Sequence, residues 1–142
     1  MDLIELNALT GTQVSDLLAL MRELNADIPV TPKMLMRTAE APGTHLFAAV
    51  SSDGHIAGCA SLCVYDSPTG RKAAVEDVVV ASAHRGQGIG RALMEHLIGF
   101  ARRELAPVDL HLTSSPWRVE ANAMYRALGF LQRDTNVYKM TI

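Results

Sequence analysis

The chain has 142 residues, 49% of them apolar and 20% charged, and a net charge of −2. That suits one globular domain, taken as residues 1–142, whose core needs no disulfide or metal. The balance of charge argues against general nucleic-acid affinity, and no apolar run approaches a membrane span. The start MDLIELNALTG has no basic segment, so no secretion signal is expected.

LIEL reads as a strand. TGTQVSDLLALMRELN follows with Val14, Leu17, Leu18, Met21 and Leu24 at helical spacing and Thr10 or Thr12 as cap. Thr31 before Pro32 starts a short second helix in TPKMLMRTAE. Met34 and Met36 there could flank a cleft, with core packing the default.

HLFAAV and HIAGCASLCVY are strands joined by the turn signal SSDG. Cys59 and Cys63 lie four apart, about 13 Å along a strand, too far for a disulfide. The five histidines are scattered. Small buried thiols, no metal, and a reducing cytoplasmic location are expected.

KAAVEDVVV is the next strand, apolar on both faces except for Glu76 and Asp77. Adjacent residues point to opposite faces, so Glu76 is expected beside Val78 and Val80. Two helices, IGRALMEHLIGFARREL and SPWRVEANAMYRALGF, flank the strand VDLHLTS, and NVYKMTI is expected as a closing strand. The second helix is expected to start at Ser115 and Pro116 and to stop at Gly129. ARRE reads as a solvated helix end. The order β-α-α-β-β-β-α-β-α-β is a mixed α+β or α/β single domain.

AHRGQGIGRAL concentrates the chemistry. Gly86, Gly88 and Gly90 let successive N–H groups line one concavity, and the helix that follows adds its own free amides. Arg85 and Arg91 add positive charge with phosphate-matching geometry. Together they make a phosphate or pyrophosphate seat. A P-loop needs Gly-Lys then Ser or Thr, which GIGRAL lacks. A G-x-G-x-x-G fingerprint fails because its last position is Arg91 or Leu93.

RGQGIG resembles the R/Q-x-x-G-x-G/A signature of the GNAT superfamily of acyl-CoA N-acyltransferases. VEDVVV before it and ANAMYRALGF after it extend the likeness, and the element order is similar along nearly the whole chain. The resemblance implies an α/β (mixed α+β) fold: a central, mostly antiparallel mixed sheet with a splayed strand pair, flanked by about four helices. It implies acetyl-CoA as co-substrate, its pyrophosphate at Arg85, Gly86, Gln87, Gly88, Ile89, Gly90 and Arg91. Val78, Val79 and Val80 would pair with the pantetheine arm, and the N–H of Val78 or Val79 would polarise the thioester carbonyl and stabilise the oxyanion.

Amine acetylation needs a neutral amine and a protonated leaving thiolate. Tyr125 lies one turn after Asn122 at the edge of an apolar stripe; spacing alone also allows a core tyrosine. It matches the superfamily's proton donor, and Asn122 resembles the asparagine that bonds the pantetheine arm. Glu76 resembles a strand glutamate that serves some members as base through water; pairing with an arginine or a loop N–H is the structural alternative. Asp77 is a second candidate base or amine anchor.

His111 reads as structural, and Trp117 as packing on a partner chain or lining the acceptor cleft. The cysteines lie outside the signature segments, so direct transfer in a ternary complex is expected. A non-catalytic acyl-CoA-binding or sensing module is the alternative. VEDVVV looks like the matching strand of glucosamine-phosphate acetyltransferases, but other members share it. The acceptor is expected to be a small-molecule or peptide amine. Superfamily members are often dimers, so a homodimer is among the expectations.

Overall fold

A computed structural model describes all of residues 1–142. They form two compact units, residues 1–112 and residues 113–142.

In the first unit, β1 (Asp2–Leu6), β2 (Thr44–Val50), β3 (Ile56–Ser67) and β4 (Gly70–Val80) are antiparallel neighbours in chain order. β5 (Asp109–His111) joins β4 in parallel. Two helices separate β1 from β2. Thr10 caps α1 (Gly11–Leu24): its hydroxyl accepts from the Gln13 amide at 3.2 Å and Gln13 Oε1 accepts from the Thr10 amide at 2.9 Å. Thr31 caps α2 (Pro32–Glu40) by accepting from the Met34 amide at 3.3 Å. A 3-10 turn (Ser82–His84) and α3 (Ile89–Phe100) follow β4, and a π-helical turn (Ala101–Leu105) ends α3. Ala101 and Leu105 are buried, so only Arg102, Arg103 and Glu104 of the expected solvated end face water.

The sheet is covered on both sides. Leu46, Ala48, Cys59 and Val79 pack with Leu17, Leu20, Leu35 and Ala39 of α1 and α2. On the opposite face, Phe47 meets His96 and Phe100 edge-on at 5.3 Å. Leu93, Met94 and Leu97 of α3 are fully buried there, each contributing about 1.5–3 kcal/mol. In α2, Leu35 and Ala39 take the core, while Met34 and Met36 are exposed, against the expectation of core packing.

In the second unit, α4 (Val119–Ala127) starts later than expected. The Ser115 carbonyl accepts from the Arg118 amide and from Asn122 Nδ2, both at 3.0 Å, so a turn carrying Pro116 precedes the helix. Its end is as expected. Gly129 adopts φ 101, the Phe130 amide donates to Tyr125 O at 3.0 Å, and the Gly129 amide donates to Arg126 O at 3.1 Å. The expected closing strand over residues 136–142 is not formed, and all five strands lie before residue 112. A strand exists by pairing, so apolar alternation without a ladder yields none.

Candidate functional site

β4 carries the first part of the site. Its register with β3 steps from Ser61↔Glu76 to Cys59↔Val79, so β4 holds one extra residue. Asp77, at φ 52, sits inside this bulge. The bulge reverses the alternation expected from the sequence. Glu76 and Val79 face the α1–α2 side, whereas Val80, opposite Gly58, faces α3. Glu76 therefore does not share a face with Val80.

The outer edge of β4 is paired only at Lys72–Ala74, by Asp109–His111. From Val75 to Val80 no strand lies against it. The strand pair is splayed, and the backbone of Val78 and Val80 borders the gap. The Ala81 amide donates to Ala57 O at 2.8 Å, which makes Val79 and Cys59 the next mutually bonded pair. Val79 thus turns its amide to β3.

The mouth of α3 is the second part. Gly86 and Gly88 have φ 77 and 78, left-handed values that favour glycine, and a Cβ at either would meet nothing within 4 Å. The amides of residues 86–91 donate to no protein acceptor. Ile89 is buried and anchors the helix start. This is an open concavity of free N–H groups at a helix N-terminus, and it fits the pyrophosphate of acetyl-CoA.

The flanking arginines differ. Arg85 Nε donates to Val80 O at 3.1 Å and Nη2 meets Glu23 Oε2 at 3.3 Å. Glu23 also accepts from the Ser82 amide at 2.9 Å. Arg85 and Glu23 thus latch the turn between β4 and α3 to α1. Arg91 pairs along its own helix with Glu95 at 2.9 Å and stays exposed. Glu23 was not singled out in the sequence, because nothing near it announces a partner 59 residues away. A groove lined by Asp16, Glu23, Asp53, His55 and His84 lies beside this latch and is too acidic to favour a pyrophosphate.

The titratable candidates have distinct surroundings. Glu76 and Asp77 are both exposed. Partial burial of the Asp77 carboxyl in the bulge pushes it above the usual carboxylate range, and Glu76 makes no ion pair. Burial pushes the Cys59 thiol up to about 12, with the Asp77 charge adding to it, and burial likewise raises Cys63. In the second unit, burial raises the Tyr125 phenol, partly offset by Arg118, and its ring meets Phe130 edge-on at 6.1 Å. Asn122 spends one Nδ2 hydrogen on Ser115 O, which leaves Oδ1 and the second amide hydrogen free. Trp117 is 79% exposed. No group of three His, Cys, Asp or Glu side chains is arranged to hold a metal ion.

The acetyltransferase (GNAT) family model matches residues 14–130. The chain belongs to this family. It is 40% identical over 93 residues to a streptothricin acetyltransferase of Streptomyces lavendulae, covering 64% of this chain and 47% of that protein. It is 33% identical over 89 residues to N-acetyltransferase 8B of Rattus norvegicus, covering 62% and 40%. The chain thus spans less than half the length of these relatives. A solved putative acetyltransferase from Agrobacterium tumefaciens superposes with a TM-score of 0.83 at 25% identity, covering 99% of this chain and 100% of that one. Glucosamine-6-phosphate N-acetyltransferase of Arabidopsis thaliana shares the GNAT fold, with a TM-score of 0.76 at 21% identity over 98% and 97% of the two chains.

Proposed function

We propose that this GNAT chain is an N-acetyltransferase that moves an acetyl group from acetyl-CoA to a primary amine by direct attack. The observation that carries the reading is the open β4 edge, bent at Asp77, followed by the free amides at the mouth of α3. Acetyl-CoA would supply the thioester and its acetyl group. The amides of residues 86–91 and Arg91 hold the pyrophosphate charge, with Arg85 keeping the loop in place. The β4 edge accepts an extended arm as an added strand. With Val79 turned to β3, Val78 is the amide left to polarise a carbonyl at the bulge.

Tyr125 keeps the proton-donor role that the family resemblance gives it. A phenol is protonated at neutral pH in any case, as a donor requires, and burial raises this one further. Glu76, through water, or Asp77 with its raised carboxyl takes the proton of the amine. The buried Cys59 thiol is too weak an acid to act as nucleophile, in keeping with transfer in one ternary complex.

Incubation with acetyl-CoA and a panel of primary amines, an antibiotic amine among them, should release free thiol only when the acceptor is present. Tyr125→Phe should lower kcat about 10²-fold while the KM for acetyl-CoA stays within about twofold. Binding of CoA without transfer to any amine would mark a sensing module instead. Tighter binding of ATP or NAD than of CoA in calorimetry would overturn the reading.

A further inference from the structure

The sheet face covered by α1 and α2 turns polar past Cys59 and Val79. Ser61 lies opposite Glu76, Cys63 opposite Ala74, and Ala74 beside His111. Alternation puts these side chains on one face, with Tyr65 two residues beyond Cys63. Tyr65 Oη and His111 Nε2 are 2.9 Å apart, bridging β3 to β5, and their rings meet edge-on at 6.0 Å. Ala74, between them on β4, contributes only a methyl group.

On this face short side chains lie between longer ones, and the space above the short ones is a shallow recess inferred from the strand register. Its floor is Ser61, Cys63 and Ala74, Glu76 bounds one end, and the Tyr65–His111 pair bounds the other. Glu76, Tyr65 and His111 are all exposed, Tyr65 by 44%. Two residues along a strand and one strand across separate Glu76 from His111, roughly 8 Å between Cα atoms. Lys72 and Asp109 occupy the next row, and the Lys72 amine is held by the hydroxyls of Ser67 and Thr69. His111 Nδ1 has no protein partner, so the pair keeps a free ring nitrogen.

We propose that this recess selects the acceptor: the amine sits at the Glu76 end while the Tyr65–His111 pair hydrogen-bonds an oxygen of the same molecule. The preferred acceptor is a small polar amine with a hydroxyl or anionic oxygen several bonds from its nitrogen. An α-amino acid, whose amine and carboxylate share one carbon, is too short to reach both ends. The inference rests on the acetyltransferase reading and adds the substrate class to it.

The test uses three probes of equal chain length: hexylamine, 6-aminohexan-1-ol and 6-aminohexanoate. The wild-type chain should favour one of the oxygen-bearing probes by about tenfold or more in kcat/KM, because a site built to hydrogen-bond an oxygen discriminates against its absence. His111→Leu and Tyr65→Phe should bring that probe down to the level of hexylamine, with the KM for acetyl-CoA within about twofold. Equal use of all three probes by the wild type overturns the inference. So does a preference that survives both variants, which would make the pair a staple for β5 and should appear only as a lower Tm.

An NMR titration reads the recess without turnover. The His111 ring resonances should shift with the preferred oxygen-bearing probe and not with hexylamine; no shift refutes the recess. A shift without thiol release from any amine would instead remove the transferase reading and leave the recess standing.

Discussion

Asp77 adopts φ 52 in the middle of a strand, a conformation that is uncommon outside glycine, asparagine and aspartate. Its carboxyl is also held above its ordinary range by burial. The stability consequence has a definite sign. At low pH both folded and unfolded chains hold the proton, and Asp77 contributes nothing. As pH rises the unfolded carboxyl ionises first, so folding is disfavoured, fully so above the folded pKa. Asp77→Asn keeps a side chain that tolerates the left-handed conformation and removes the charge. Because Asp77 is exposed and water screens its charge, the variant's Tm should exceed wild type by only about 1 °C or less at pH 7, and scanning calorimetry should find that gain fading as pH falls below the ordinary carboxylate range. A gain that grew on acidification would contradict this account. The residue types at positions 76 and 77 were readable as unusual, but the facing of Glu76 was not. The extra residue in β4 exists only relative to β3, and no local pattern in VEDVVV reports it.

The turn between β4 and α3 is an element whose type was legible and whose support was not. Glycines at φ near 78 are a local requirement, so RGQGIG announced them. The latch through Glu23 is a contact between α1 and the Ser82–Arg85 segment that only folding creates. Glu23→Ala removes the acceptor for the Ser82 amide and the partner of Arg85. The KM for acetyl-CoA should rise about three- to tenfold, from the loss of one charged hydrogen-bond set, with kcat changed less than about twofold in steady-state assays. An unchanged KM would show that the loop holds its shape without α1. The caps at Thr10 and Thr31 and the stop at Gly129 were equally legible, because capping is set by residues within one turn.

Across the whole molecule, β4 links the two covers of the sheet and borders the gap left by the short β5. Gly58 shows how closely α3 docks: a Cβ there would lie 3.0 Å from Val79 O, 3.2 Å from Leu93 Cδ1 and 3.3 Å from Val80 Cγ2. Gly58→Ala should therefore cost about 1–3 kcal/mol through overpacking, read as a lower midpoint in urea with the slope unchanged. By itself, the sequence determined what depends on near neighbours: the helices and their caps, the anion seat at RGQGIG, and through its motifs the GNAT family. The open edge of β4 was expected through the family resemblance; only the tertiary structure decided where it starts, beyond Ala74, the facing of Glu76, the Glu23 latch, the Tyr65–His111 pair, and the absence of a strand over residues 136–142. Each of these is a relation between segments distant in the chain. Strand pairing and side-chain contact of that kind are set by which surfaces meet when the core closes, and no window of sequence holds both partners.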